Sequence, residues 1–287
     1  MSVAQLAGGR VPAVARRAAA VGPLFIAATV VLAGILVMAL FGPLLAPFDP
    51  NQLYAGPVSG APSPAHPMGT DDLGRDILSR VLAGAGPSVF APVAVVIASA
   101  LIGSAVALAA AWFGGWIDAV SSRLIEVIFA IPGLVLAILA VSMFGKGLIA
   151  PIVALSIAYI PIVSRLVRAA AKQELSKPYV AALRIQGLGS LAICFRHVVP
   201  ALLPTIFAQA TVGFGYAMLD LAAISFLGLG AQPPSSDWGV MIAGGQPALL
   251  NGAPEQSMFP ALFVVLTVLA VNILGARITA WAEGADR

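Results

Sequence analysis

Long apolar stretches, separated by short polar segments, occupy most of the chain. A helix needs roughly 20 apolar residues to cross a hydrocarbon core about 30 Å thick. Six stretches meet this requirement, and we predict each of them to be a transmembrane helix. They cover approximately residues 23–46, 88–113, 124–144, 148–164, a part of 198–229, and 258–275.

The composition agrees with this pattern. Of the 287 residues, 60% are hydrophobic and only 9% are charged, whereas a soluble domain carries about a quarter of charged residues. We therefore expect an all-α integral membrane protein. The single cysteine, Cys194, excludes a disulfide framework and a cysteine-based metal site. His66 and His197 are far apart in sequence, so no metal site is predicted.

The lysines and arginines predict the orientation, because cytoplasmic loops are enriched in them. Twelve of the 15 fall in segments on one side, against only Arg75, Arg80 and Lys146 on the other. Both termini are therefore predicted to be cytoplasmic, with residues 1–22 as the leading segment and 284–287 as the tail. The first apolar stretch is too long for a signal peptide and no cleavage-like sequence follows it, so we expect it to remain as the first span.

A basic segment, 172–197, interrupts the apolar pattern between the fourth and fifth spans. It predicts a short helix with Pro178 in its first turn and with Gly187 and Gly189 at its end, followed by a second short helix at about 190–196. One smooth face of the first helix would hold Tyr179, Ala182, Leu183 and Gln186. The pattern alone leaves two interpretations open, a connector on the membrane surface or a helix that docks in a partner's groove.

This segment also resembles a known motif. The stretch YVAALRIQGLGSLAICFRHVVPALLP is similar to the EAA loop of permease subunits of ABC importers. Ala181 stands where that family usually has an acidic residue, and Leu183 replaces an alanine. The matching positions are Tyr179, Val180, Ala182, Arg184, Gly187, Arg196, His197 and Pro200.

Three further stretches resemble the C-type permeases of dipeptide and oligopeptide importers, and they occur in the same order. HPMGTDDLGRDILSR (66–80) is similar to the segment after their first span, and RLIEVIFAIPGLVLAI (123–138) to their third span. ISFLGLGAQPPSSDWGVM (224–241) is similar to the segment after their fifth span. The C-terminal sequence departs from the family's ending, so we assign nothing to it.

The resemblance implies a type I ABC importer permease (MetI-like) fold with six transmembrane helices and a cytoplasmic coupling helix between helices 4 and 5. It implies a bacterial inner-membrane subunit that imports dipeptides or oligopeptides. The expected partners are a second, B-type permease, two ABC ATPase subunits or a fused ATPase, an extracytoplasmic peptide-binding protein and membrane lipid, with no nucleic acid. The coupling residues would be Tyr179, Val180, Ala181, Ala182, Leu183, Arg184, Gln186 and Gly187.

The outer segment 47–87 is expected to contain an amphipathic helix at the membrane surface, ahead of a five-helix core at 88–283. Thr70 suits its N-cap, and Asp71 and Asp72 suit its first turn. The apolar stripe would be Leu73, Ile77, Leu78, Val81 and Leu82. This helix is interpreted either as simply interfacial or as a contact for the binding protein.

Other outer side chains are expected to lie at the surface. Local ion pairing is plausible but would contribute little stability; the charged residues concerned are Asp72, Arg75, Asp76 and Arg80. Trp238, in an outer loop without lysine or arginine, is expected in the aromatic belt at the interface.

Two carboxylates fall within predicted spans, where they normally face a cavity or a partner. Glu126, close to the cytoplasmic end, is expected to have a structural role, reaching water or pairing with Arg123. Asp220 is deeper, beside Tyr216, and two interpretations remain open. These residues either line a translocation path, where Asp220 would meet a peptide's amino terminus, or Asp220 pairs across a subunit interface.

The energy source is expected to lie outside the chain. A phosphate-binding loop is absent, since FGKG at 144–147 lacks its earlier glycine and its hydroxyl residue. ATP and magnesium would therefore be bound by partner ATPases, and no cofactor or catalytic residue is assigned here. The alternatives are an importer of nickel or another small solute, a stand-alone secondary transporter driven by an ion gradient, and, less in keeping with the residues, an intramembrane enzyme.

Overall fold

The computed structural model describes residues 22–285, and every described element is helical apart from an isolated antiparallel bridge between Thr70 and Asp76. The predictions for residues 1–21, including the cytoplasmic leading segment, lie outside these residues, as do the last two residues of the tail. The helices are α1 (Gly22–Leu45), α2 (Ile77–Phe113), α3 (Gly115–Phe129), α4 (Gly133–Phe144), α5 (Ile149–Leu175), α6 (Pro178–Ile185), α7 (Ser190–Ile193), α8 (Val199–Phe226), α9 (Trp238–Gly244), α10 (Gln246–Leu250) and α11 (Glu255–Ala285).

Within residues 22–285, five helical segments are long and apolar enough to cross a membrane, and a sixth crossing requires that α3 and α4 form one span. The five are Gly22–Leu45, Ile77–Phe113, Ile149–Leu175, Ser190–Phe226 and Glu255–Trp281. The all-helical prediction is confirmed, and the number of crossings depends on the α3–α4 pair.

The predicted third span, 124–144, is wrong as a single helix. α3 ends at Phe129, α4 begins at Gly133, and the two are bent by 78°. Pro132 accounts for the break, because its ring blocks continuation of the preceding helix and it has no amide hydrogen to donate.

The fourth helix is longer than its apolar stretch. The sequence predicted a span ending at about residue 164, but α5 continues to Leu175 through Arg165, Arg168 and Lys172. Hydropathy marks where a helix leaves hydrocarbon, and the backbone hydrogen-bond pattern carries on into the polar region. α5 therefore reaches directly to the short helix α6.

The separate interfacial helix predicted at about residue 70 is not formed. Thr70 is not an N-cap, and α2 begins only at Ile77, running without interruption to Phe113. Asp76 is the N-cap, because its side chain accepts a hydrogen bond from the Ser79 amide at 2.8 Å. Residues 46–76 are non-helical and fold over this end of α2.

α2 is the central helix, packing against α5, α1 and α8, while α11 packs against α8, α1 and α9. Close approach of α2 and α5 is possible at Gly103, whose Cβ, if present, would lie 2.9 Å from Val163 Cβ. The Ser164 hydroxyl donates to the Gly103 carbonyl there at 2.9 Å. A second, smaller core at the far end of α2 joins α5, α6 and α8; it contains Ala107, Val163, Val167, Ala171, Val180, Ile193, Val198 and Leu202.

Candidate functional site

The short helix α6 is formed where the sequence predicts it. Pro178 occupies the first turn, preceded by Lys177 in an extended conformation. Gly187 follows the helix with φ +81°, a left-handed conformation that favours glycine. A Cβ at Gly187 would meet nothing within 4 Å, so the glycine is required by backbone conformation and not by space.

One side of α6 is fixed to the ends of the long helices. Val180 is 1% exposed and belongs to the core that joins α5 and α8. Glu174, near the end of α5, accepts a hydrogen bond from the Tyr179 hydroxyl at 2.8 Å and pairs with Lys177 Nζ at 2.7 Å. Burial and the Glu174 hydrogen bond raise the pKa of Tyr179 to about 12, so its hydroxyl stays protonated and continues to donate. α6 is therefore joined to the end of α5 by a hydrogen bond and an ion pair.

The other side of α6 is not covered by any part of residues 22–285. The exposed residues among the predicted coupling residues are Tyr179, Ala181, Ala182, Arg184, Gln186 and Gly187. Ile185, which sequence reasoning did not select, is 87% exposed. Val180, a predicted coupling residue, is turned inward and packs in the core. Leu183 is half-buried against the same core, and the Arg184 guanidinium lies 5.7 Å from the Trp112 ring centroid.

A second connection holds the same end of α5. Asp118 on α3 accepts hydrogen bonds from Arg168 Nε and from Lys172 Nζ, the latter at 2.9 Å. The basic residues that extend α5 beyond its apolar stretch are thus partly neutralised by α3. Glu126, also on α3, is exposed and pairs with Arg123 at 2.9 Å, which is the partner considered from the sequence.

A cleft of about 250 Å³ lies between α2, α5 and α8, and Asp220 and Tyr216 line it. Asp220 is half-buried, and its Oδ2 accepts a hydrogen bond from the Tyr159 hydroxyl of α5 at 2.8 Å. Sequence reasoning missed Tyr159 because sixty-one positions separate it from Asp220. It also missed Gln209, although Gln209, Gly213, Tyr216 and Asp220 recur at helical spacing along α8 and form one stripe.

A polar network covers the start of α2, at the end of this helix that lies far from α6. The Asp71 side chain, which is fully buried, contacts Arg75 Nε at 2.6 Å and lies 3.6 Å from Arg80 Nε. Asp76 Oδ1 lies 2.9 Å from His66 Nδ1. The expected pair between Arg75 and the half-exposed Asp72 is present at 3.8 Å. The expectation that ion pairing here is worth little is wrong for the rest of the network, because that part is buried and centred on Asp71.

Trp238 belongs to this covered end and not to an interfacial belt, so that prediction is wrong. It is 0% exposed, donates from Nε1 to the Val81 carbonyl at 3.0 Å and packs against the Phe263 ring. Ser88 holds the start of α9 by donating to Asp237 and accepting from the Trp238 amide. Burial raises the pKa of the Asp237 carboxyl, partly opposed by hydrogen bonds that the Ser88 hydroxyl and the Gly239 and Val240 amides donate to it.

Residues 99–284 match the family described as the binding-protein-dependent transport system inner membrane component. The chain belongs to this family. As a permease component it is a multi-pass inner-membrane protein, and family members of this kind are membrane components of transporters, not enzymes. Residues 22–62 of the permease also match the N-terminal transmembrane domain of oligopeptide transport permease C.

Several curated relatives resemble the permease over most of its length. A glutathione transport system permease protein of Escherichia coli O1:K1 / APEC is 38% identical, covering 84% of this chain and 80% of the relative. A dipeptide transport system permease protein of Alkalihalophilus pseudofirmus is 35% identical, covering 88% and 83%. A di/tripeptide transport system permease protein of Pseudomonas aeruginosa UCBPP-PA14 is 37% identical, covering 84% and 81%.

Proposed function

We propose that this permease imports dipeptides or oligopeptides as one membrane subunit of an ATP-driven transporter, and that α6 is the helix through which an ATPase subunit drives it. The relatives named for dipeptide, di/tripeptide and glutathione transport support the substrate class. The other subunits would be a B-type permease, two ABC ATPases or a fused ATPase, and an extracytoplasmic binding protein. ATP and magnesium would be held by the ATPases.

The observation that carries the proposal is the two-sided character of α6. Its inner side is tied to α5 by Tyr179 and Glu174 and to the core by Val180, whereas its outer side exposes Ile185 and alanines. A helix that docks in a groove uses both an exposed apolar side chain and small residues that permit close approach. We infer that the exposed side fits an ATPase groove.

The length of α2 supports a location of α6 on the side opposite the network around Asp71. Ile77 and Ala107 are thirty residues apart in α2, about 45 Å along a helix axis, which exceeds the hydrocarbon thickness. Ala107 packs in the core that contains Val180. If the chain has six spans, with α3 and α4 as one broken span, and both termini are in the cytoplasm, the end of the molecule that carries α6 would be cytoplasmic. The end that carries residues 46–76 would then be extracytoplasmic.

Reconstitution tests the proposal. The complete assembly in proteoliposomes, with ATP inside and loaded binding protein outside, should accumulate labelled dipeptide, and this chain alone should accumulate none. Uptake by the chain alone on an ion gradient would instead support a secondary transporter. Uptake of Ni²⁺ without peptide would refute the substrate class.

A charge on the exposed face of α6 tests the docking helix directly. Ile185→Asp should remove the ATPases from the affinity-purified complex, because a carboxylate would be desolvated in an apolar groove. Leu53→Asp is the matched control, since Leu53 is 54% exposed on the opposite end of the molecule. Full recovery of the ATPases with Ile185→Asp would show that they bind elsewhere.

A further inference from the structure

We propose that the Asp220 carboxylate binds the α-ammonium group of a peptide inside the cleft between α2, α5 and α8, with Tyr159 as its positioning residue. This inference rests on the proposed function, because it assigns a site for the end of the transported peptide. It goes further by naming the group that is bound and the side chain that orients the carboxylate.

The Asp220 carboxylate has acceptor positions without a hydrogen-bond partner in the described part of the chain. A carboxylate in a membrane-spanning helix is unfavourable unless it has partners, so it marks a cavity, a pathway or a counter-ion. The Tyr159 hydroxyl donates to Oδ2, and no hydrogen bond or ion pair reaches Oδ1 from the part of the chain that the structure describes. Since a carboxylate has about four acceptor positions, Asp220 retains capacity for a cationic donor.

Tyr159 orients the Asp220 carboxylate. It lies ten residues from the start of α5 at Ile149, and its hydroxyl reaches across to α8. A single fixed donor on Oδ2 sets the plane of the carboxylate and leaves Oδ1 for a ligand. Tyr159 and Asp220 both line the cleft, so the oriented carboxylate belongs to its wall.

Asp220 lies in the outer half of α8. Asp220 precedes the end of α8 at Phe226 by six residues, about 9 Å along the helix axis. The loop that follows α8 contacts the outer end of α2, where Arg80 donates to the Ser235 carbonyl at 3.2 Å. The carboxylate is therefore in the half of the membrane that a peptide arriving from outside reaches first.

The size and the lining of the cleft suit one end of a peptide. The cleft of about 250 Å³ is slightly smaller than pockets for whole small molecules, so it suits one end of a peptide. Its lining is mainly apolar, with Ser99, Gln209 and Tyr216 as further polar residues. A peptide's α-amino group is charged at neutral pH and is present whatever the side chains are. Recognition there would be independent of peptide sequence.

Photolabelling of the complete transporter in nanodiscs, without binding protein, tests this assignment. The probes are an alanyl-photoleucine dipeptide with a free amino terminus and the same dipeptide acetylated at that terminus. Wild type should be labelled on this chain far more by the free-amine probe. Asp220→Asn should reduce that labelling about tenfold or more, which is the expected loss of a charge-assisted hydrogen bond, and should leave labelling by the acetylated probe unchanged.

Three further variants separate binding from folding. Asp220→Glu should keep the preference for the free amine because it keeps the charge. Tyr159→Phe should lower the ratio of free-amine to acetylated labelling, whereas a general structural defect would lower both signals together. Glu126→Gln, at an exposed carboxylate outside the cleft, should change neither signal.

Equal labelling of wild type by the two probes, or unchanged labelling in Asp220→Asn, would overturn the inference while peptide import by the assembly remained intact. If Asp220→Asn releases the second permease during purification and lowers both signals equally, the cation is a basic side chain of that subunit and the inference is wrong. If the proposed function itself is wrong, the wild-type assembly will import neither the free-amine nor the acetylated dipeptide. That result is distinguishable from failure of the inference about Asp220 alone.

Discussion

The Tyr179 hydroxyl donates a hydrogen bond to Glu174 across the junction between α5 and α6, at 2.8 Å. It joins the last turn of a membrane-spanning helix to the helix that we propose as the ATPase contact. Because Val180 is buried beside it, α6 is held by both polar and apolar contacts. These contacts therefore join α6 directly to the end of α5.

We expect Tyr179→Phe to weaken this connection without removing the packing of the ring. The lost hydrogen bond contributes about 1 kcal/mol, or slightly more because its acceptor is charged. Peptide uptake per ATP hydrolysed should fall several-fold, while ATPase subunits still co-purify. Simultaneous measurement of uptake and phosphate release checks the ratio. An unchanged ratio would show that the hydroxyl has no part in coupling.

The buried and exposed ion pairs of the chain should differ sharply in their importance. Asp71→Asn removes the charge beside Arg75 and Arg80 in the covered network, and breaking such a pair costs about 3–5 kcal/mol. Glu126→Gln breaks an exposed pair with Arg123 and should cost less than about 1 kcal/mol. Apparent melting temperatures of the two purified variants in detergent provide the comparison. Equal values would mean that the Asp71 network is hydrated and weak.

Close packing between α2 and the loop after α8 should make Gly84 intolerant of a side chain. A Cβ on Gly84 would lie 1.9 Å from the Ser236 carbonyl oxygen, so Gly84→Ala must separate the two backbones, at about 1–3 kcal/mol. Gly34→Ala in α1 is the control, because a Cβ there meets nothing within 4 Å. The first variant should have a clearly lower apparent melting temperature and the second should not. A stable Gly84→Ala protein would contradict the packing described here.

The side of the membrane on which α6 lies can be measured by cysteine labelling. In a Cys194→Ala background, expressed without the ATPase subunits that would cover α6, Ile185→Cys should react only with membrane-permeant maleimide in intact cells. Leu53→Cys should react with an impermeant maleimide as well, because residues 46–76 are expected outside. Both side chains are exposed, so reactivity reports the side and not burial. Labelling of both sites by the impermeant reagent would refute the proposed orientation.

Much of the helical architecture was predictable from local pattern. Apolar length identified the spans, and the Pro178 and Gly187 positions identified α6, because both residues act through the conformation of their own backbone. The break in the third span was also recoverable from Pro132, but the continuous apolar run concealed it. α5 was predicted too short because polarity reports the membrane boundary and not the end of a helix.

The partners of polar side chains were not predictable in the same way. Asp220 was identified as a buried carboxylate from its apolar surroundings, but Tyr159 is on a different helix. Trp238 was assigned to the interface by residue type, whereas α2 and α11 enclose it. Ile185 was overlooked because the helical pattern does not say which face the rest of the protein covers.

Local interactions act within a few residues, so the sequence by itself determined that the chain is helical, that long apolar helices cross a membrane, and that a short polar helix lies between two of them. Tertiary structure alone decided which side chains meet, since this depends on how helices distant in sequence pack together. The covered Asp71 network, the cleft around Asp220 and the free face of α6 all arise from that packing.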